Sequence, residues 1–294
     1  MSYKYLANIT NPQSIITPID ASIRFPEILE VCQSKYASDI ATYKRLIASS
    51  DTSSALLAAI RSTNFNAAER MSLLKMFRRT VSPVLDTEMA KKMKVSSETL
   101  ISSYGHTFKS INLLQRQFAK LTADQESALA ALIGEYDTRG QLGYILTGNF
   151  FDWFEEKFKN VFAIEGPRGA GRDVELSSVF PDFSGSYPCD FVIRKANDAS
   201  KILAVGFARY DSTRGGAQSD DRTGGNADKV GKAKEYFKKS GNKFRILFLS
   251  DGPGMAHKDT WTEACLLDGT WDGNVRVTTL KTAHERITAE WLTN

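Results

Sequence analysis

Residues 187–222 read YPCDFVIRKANDASKILAVGFARYDSTRGGAQSDDR: two apolar runs, a turn between them and a polar loop behind. The first run carries one acid, Asp190, and breaks into a short polar connection. The second, over 202–210, closes on Arg209 and Tyr210 before a loop dense in Arg, Asp and Gly. Short β-like runs joined this way predict paired strands. Along the second, position 207 and Arg209 share one face and Ala208 takes the other. An acid and a base brought to the same end of two paired strands can hold a divalent metal beside a phosphate.

Outward from this hairpin, the second half of the chain alternates in character. FFDWFEEKFK at 150–159 reads as an aromatic amphipathic helix, and VFAIEG at 161–166 and DVELSSVF at 173–180 as short strands. A basic amphipathic helix is predicted over 226–240, strongly apolar strands over 244–252 and 275–280, and a closing helix in TAHERITAEWL. The order predicts an α/β fold, a central mixed β-sheet with helices on both faces. The first half reads as helical from 26 to about 146, after a turn-rich arm over 1–20. Asn66 stands three residues before Glu69, the spacing of a capping box, and Thr122 and Gln125 bracket another helix start. The expected organisation is a helical N-terminal region, 1–146, and a sheet-containing domain, 147–294.

Composition is that of a soluble globular protein: 42% hydrophobic and 24% charged over 294 residues. The net charge is +4, and it is uneven. Residues 1–145 hold 17 Lys+Arg against 13 Asp+Glu, while the remainder holds 21 against 21. A mild basic excess permits a phosphate-bearing partner without establishing one. Three widely spaced cysteines predict reduced thiols in a cytoplasmic protein and offer no zinc spacing. No apolar run reaches the length of a membrane span, and neither secretion nor a membrane is expected.

Asp190 is the leading candidate, because a carboxylate in an apolar strand is costly unless paired, hydrogen-bonded or bound to a metal. It also suits a strand edge facing water, or a salt bridge to Arg194 or Lys195. Arg209 suits a phosphate contact and equally a strand exit into solvent. The loop over 211–225 offers Arg214, Gln218 and Arg222 as donors to bases, and Asp220 and Asp221 as acceptors from cytosine or partners of those arginines. GPRGAGR at 166–172 lacks the Lys-Ser/Thr of a phosphate loop and reads as a turn. Its Arg168 and Arg172 could touch DNA, and Asp173 is a reserve metal ligand. Arg78, Arg79, Lys91, Lys92, Lys94 and the lysines of 229–239 suit either phosphates or a solvated helix face.

Asp190 on one strand, a hairpin, and Phe207-Ala208-Arg209 on the next, where the family has acid-x-Lys, resemble the PD-(D/E)XK nuclease superfamily. The flanking pieces agree over roughly 148–294. A helix bearing Phe154-Glu155 precedes the strands; a Gly-rich loop, a basic helix and an apolar strand follow. YDSTRGGAQSDDR and LFLSDGPGM are similar to segments of bacterial type II restriction endonucleases. The resemblance implies a restriction-endonuclease-like core and Mg²⁺-dependent, sequence-specific hydrolysis of phosphodiester bonds in double-stranded DNA. It also implies a place in bacterial restriction-modification and a homodimer reading a palindrome. Asp190 matches the family's metal-binding acid, and Arg209 stands where the family has Lys, suited to stabilising charge because it stays protonated.

Position 207, where a second metal-binding acid should stand, is Phe. Three explanations are open. The acid comes from elsewhere, with Glu155, Glu156 or Asp211 as candidates; or metal binds through Asp190, a backbone carbonyl near Ala208 and the DNA phosphate; or cleavage is weak or lost. The last makes a sequence-specific DNA-binding protein on a nuclease-like fold the main alternative. An unrelated α/β enzyme acting on a small phosphorylated ligand is a third.

Overall fold

The computed structural model describes residues 4–20, 23–138, 141–212 and 220–294, with side chains throughout except at 136–138 and 220–224. The chain divides into two compact units, Ser22–Arg139 and Met1–Ala21 together with Gly140–Asn294. The seam therefore falls at 139/140 rather than 146/147, and the N-terminal arm belongs with the sheet rather than with the helices that follow it.

The helical unit contains α1 (Glu27–Ser49), α2 (Ser53–Ile60), α3 (Ala67–Thr80), α4 (Thr87–Ala90), α5 (Ser97–Tyr104), α6 (Ile111–Phe118) and α7 (Ala123–Thr138). Helix α1 buries Tyr36, Ile40, Tyr43 and Ile47, the i, i+4, i+7, i+11 stripe of an amphipathic helix. At Gly134 of α7 an added Cβ would come within 2.5 Å of Cys32 Sγ, so the absent side chain lets α7 press against α1. The capping box forms: Asn66 Oδ1 accepts from the Ala68 and Glu69 amides at 2.9 and 3.0 Å, and Glu69 accepts from Asn66 N at 2.8 Å. Thr122 and Gln125 reciprocate in the same way ahead of α7. Of the basic residues on this unit, Arg79 meets Glu135 at 3.2 Å and Lys91 meets Glu88 at 2.5 Å. Those two contacts suit a solvated helix face.

The other unit is built on a five-stranded sheet of order β1-β4-β5-β6-β7. Its strands are β1 (Phe162–Glu165), β4 (Phe191–Lys195), β5 (Asp198–Tyr210), β6 (Arg245–Asp251) and β7 (Val275–Thr278). The first three run antiparallel and the last three parallel, so the sheet is mixed as expected. Strands β2 (Val174–Glu175) and β3 (Pro188–Cys189) pair separately. The strand expected over 173–180 is thus only two residues long, and Leu176–Ser178 turns as a 3-10 helix.

Helix α8 (Gln141–Lys157) is longer than the 150–159 segment expected, and buries Leu146, Phe150, Phe151 and Phe154 against one face of the sheet. Helices α9 (Asp220–Ser240) and α10 (Lys258–Leu267) cover the other, while α11 (Ala283–Arg286) and α12 (Ala289–Thr293) join α8's side. Covered on both faces, β6 shows no alternation of burial, and its centre, residues 246–249, is apolar throughout. Gly206 on β5 is required by packing: a Cβ there would lie 2.0 Å from the Phe191 ring.

The arm over 4–20 is laced onto this unit by hydrogen bonds to side chains far along the chain. Leu6 N donates to Asp268 at 3.0 Å, Thr17 N to Asp251 at 2.8 Å and Ile19 N to the Tyr210 hydroxyl at 3.0 Å. Cys32, Cys189 and Cys265 form no disulfide with one another. Among the described residues, no helix is long and apolar enough to cross a membrane.

Candidate functional site

Asp190 sits at the break between β3 and β4, where the chain leaves the small sheet for the large one. Its amide donates to the Gly206 carbonyl at 2.9 Å. Its carboxylate Oδ2 accepts the Ala208 amide at 2.7 Å and so replaces a backbone acceptor at the end of the ladder. Burial pushes this carboxyl above the usual range. The Ala208 hydrogen bond opposes that rise, the nearby Asp173 charge adds to it, and the Lys229 ammonium offsets part of it. Asp190 forms no ion pair with a described residue, so the salt-bridge reading, to Arg194 or Lys195, does not apply. Arg194 instead reaches Glu165 at 2.8 Å.

Lys229 comes from α9. Its amine lies 3.7 Å from the centroid of the Phe207 ring, a cation–π contact. Phe207 is buried, stacked on Phe248 with centroids 5.4 Å apart and met edge-on by Tyr187 at 5.8 Å. The Tyr187 hydroxyl donates to the Lys229 carbonyl at 3.1 Å, so the same aromatic group fixes both ends of this lysine. Burial lowers the Lys229 amine below its ordinary value, with Asp190, Cys189 and Asp173 pulling it back up. Burial also pushes the Cys189 thiol up to about 12, and its Sγ donates to the Val174 carbonyl at 3.0 Å. That thiol is structural.

Two cavities meet at Asp190 and Ala208. One, of about 230 Å³, is lined by Asp190, Phe207, Arg209, Asn226, Lys229 and Ser250, among others. The second, of about 200 Å³, runs between Tyr144 and Thr147 of α8 and the 167–173 segment, with Asp173 facing it. A larger cavity of about 490 Å³ lies farther along α9, where the lining acids, Asp182 and Glu235, are exposed. The Asp190 cavities are smaller, but they hold the half-buried carboxylate and the half-buried lysine. We give them precedence on that chemistry.

The other residues singled out from sequence are placed differently. Glu155 lines neither cavity; its carboxylate meets Arg168 at 2.5 Å, and Arg168 also grips Asp152. A helix-surface glutamate and the turn arginine above it thus pair with one another on the surface, and neither lines the Asp190 cavities. Arg209 donates to Asp211 Oδ1 from Nε at 2.7 Å, and its NH2 approaches that oxygen to 2.5 Å. Asp211 Oδ1 is thus paired with Arg209, which itself lines the first cavity. Arg172 is exposed. Arg214 and Gln218 lie outside the described residues. The backbone of Asp220, Asp221 and Arg222 opens α9, six residues before the expected start at 226, while their side chains lie outside the description. Among the described residues, no three His, Cys, Asp or Glu side chains gather as a metal-holding group.

Lys229 was legible only as one of several lysines on a basic helix. The signal that singles it out is spacing: Lys229, Ala233 and Tyr236 fall at i, i+4, i+7, and the last two are buried. A lysine on the apolar stripe of a helix differs from its neighbours on the wet face. Comparison of the chain with protein-family models, curated proteins and solved structures gives no match.

Proposed function

We propose that the protein is a Mg²⁺-dependent endonuclease of double-stranded DNA, of the type II restriction class, acting at the paired cavities around Asp190. One observation carries the reading: a half-buried carboxylate, a second acid and a half-buried lysine converge where an antiparallel hairpin meets the parallel strands. The order α8, β1, β4, β5, α9, β6 also follows the helix–strands–helix–strand arrangement that the resemblance implies.

The donors suit a hard cation. Asp190 and Asp173 face one cavity, and the like charge of Asp173 raises the Asp190 carboxyl, a cost that a divalent ion between them would remove. When bound, Mg²⁺ would polarise the phosphoryl oxygen and acidify a water. Asp190, fixed by the Ala208 amide, orients that ligand set. Lys229 brings its ammonium to the phosphate and stabilises the charge that develops there, the role expected of Arg209. Tyr144 and Thr147 border the approach. Arg214, Gln218, Asp220, Asp221 and Arg222 are the candidates for reading bases, and a two-fold homodimer suits a palindrome.

A second reading has its own observation. Phe207 occupies the second acid's place and is packed into the core, which favours a DNA-binding protein that does not cut. Incubation with phage or plasmid DNA, in Mg²⁺ and in chelator, separates the two. Discrete fragments only with Mg²⁺, lost in Asp190→Ala and reduced at least about a hundredfold in Lys229→Met, support the nuclease. Sequence-dependent retention without fragments supports the binder, and neither cutting nor retention ends both readings.

A further inference from the structure

Phe207 is the residue that the nuclease reading leaves over: a large aromatic where an acid is expected. It is not a passive filler. Its ring face carries the Lys229 amine at 3.7 Å, its aromatic contacts include the stacked Phe248 and the edge of Tyr187, and Tyr187 in turn holds the Lys229 carbonyl. Asp190 lines the same cavity as Phe207 and Lys229 yet makes no ion pair with the lysine. An amine freed from Phe207 could close onto Asp190 or swing out into solvent, because a lysine stem has many rotamers of similar energy. The aromatic face resists both, since it attracts the ammonium without neutralising it.

We infer that Phe207 is a positioning residue that seats the Lys229 ammonium in the Asp190 cavity, and that the site took its cation from α9 with an aromatic platform beneath it. This rests on the nuclease reading for its catalytic consequence, but the Phe207–Lys229 contact stands apart from it. The inference reverses the simplest expectation for position 207, that restoring an acid would improve the site. A carboxylate there would remove the platform and pair directly with Lys229.

The test uses the full chain and four variants: Phe207→Tyr, Phe207→Leu, Phe207→Glu and Lys229→Met. Proton NMR reads the ε-methylene of Lys229, assigned by its loss in Lys229→Met, which the ring current of an aromatic face moves upfield. Cleavage with Mg²⁺ is followed in parallel as kcat and KM, with circular dichroism to verify folding. The expected result is an upfield methylene in the parent and in Phe207→Tyr, with cutting by the latter within about threefold of the parent. Phe207→Leu should lose the shift and roughly tenfold in kcat at similar KM, the scale of one desolvated cation–π contact. Phe207→Glu, where it folds, should cut no faster than the parent. An unshifted methylene in the parent, undiminished cutting by folded Phe207→Leu, or faster cutting by Phe207→Glu would each overturn the inference. A parent that cuts no DNA ends the nuclease reading instead, and the methylene shift still decides whether Phe207 seats Lys229.

Discussion

Asp268 and Asp190 are both carboxylates withdrawn from water in the same unit, each with a cation in its neighbourhood, and their surroundings differ in every respect that matters. Asp268 is fully buried and accepts the Leu6 amide at 3.0 Å, the Val277 amide at 3.1 Å and the Arg286 guanidinium. Asp190 accepts one amide, opens on two cavities, and has a lysine close enough to affect it but held on a phenyl ring. Buried polar groups ordinarily find their partners. Asp268 obeys that rule and holds structure together; Asp190 keeps unspent acceptor capacity facing a space a ligand can enter. The contrast separates a structural acid from a candidate catalytic one more sharply than burial alone.

The largest effect expected from this contrast is on stability at Asp268. Asp268→Ala strands Arg286 and two amides in the interior and should cost about 3–5 kcal/mol in urea unfolding, as removal of one member of a buried pair does. Asp190→Ala should cost far less, and equal losses at the two sites would erase the distinction. Gly206→Ala probes the scaffold between them. Its methyl would meet the Phe191 ring, and about 1–3 kcal/mol of overpacking should appear in the same measurement.

Asp190→Asn has a subtler signature, in pH. The folded carboxyl is raised above its unfolded value, so the native state binds more protons across that interval. Stability attributable to the group is therefore greatest below the unfolded value and declines as pH rises through the folded one. The amide keeps the Ala208 hydrogen bond and carries no charge. The variant should thus unfold at a higher temperature than the parent at pH 7, with the difference vanishing near pH 3. A lower melting temperature at pH 7 would mean that Asp190 is as well satisfied as Asp268. The smallest effect belongs to Glu155→Gln, which loosens an exposed pair with Arg168 and should change stability by less than about 1 kcal/mol.

What the sequence made legible was local. The Asn66–Glu69 box depends on residues three apart, and the apolar centre of β6, residues 246–249, follows from cover on both faces. Asp190 was legible because an acid within an apolar run is conspicuous at any range. Its companions were not. Glu155 and Asp211 have the right chemistry, but each lies near an arginine that claims it, Arg168 and Arg209, and neither preference is visible before the chain is folded. Lys229 and Phe207 become a pair only when α9 is laid on β5, and the arm's attachment joins Leu6 to Asp268 across nearly the whole chain.

That attachment also orders events in time. Residues 4–20 leave the ribosome ahead of the residues they are tied to, and the amides of Leu6 and Thr17 bond to Asp268 and Asp251, which are made more than two hundred residues later. Ser22–Arg139, a continuous stretch with its own core, is complete long before either acid exists. The vectorial direction of synthesis thus runs against the connectivity of the sheet unit. The 4–20 arm must wait for these partners while more than two hundred residues are added, so the sheet unit closes only after the helical unit has been made.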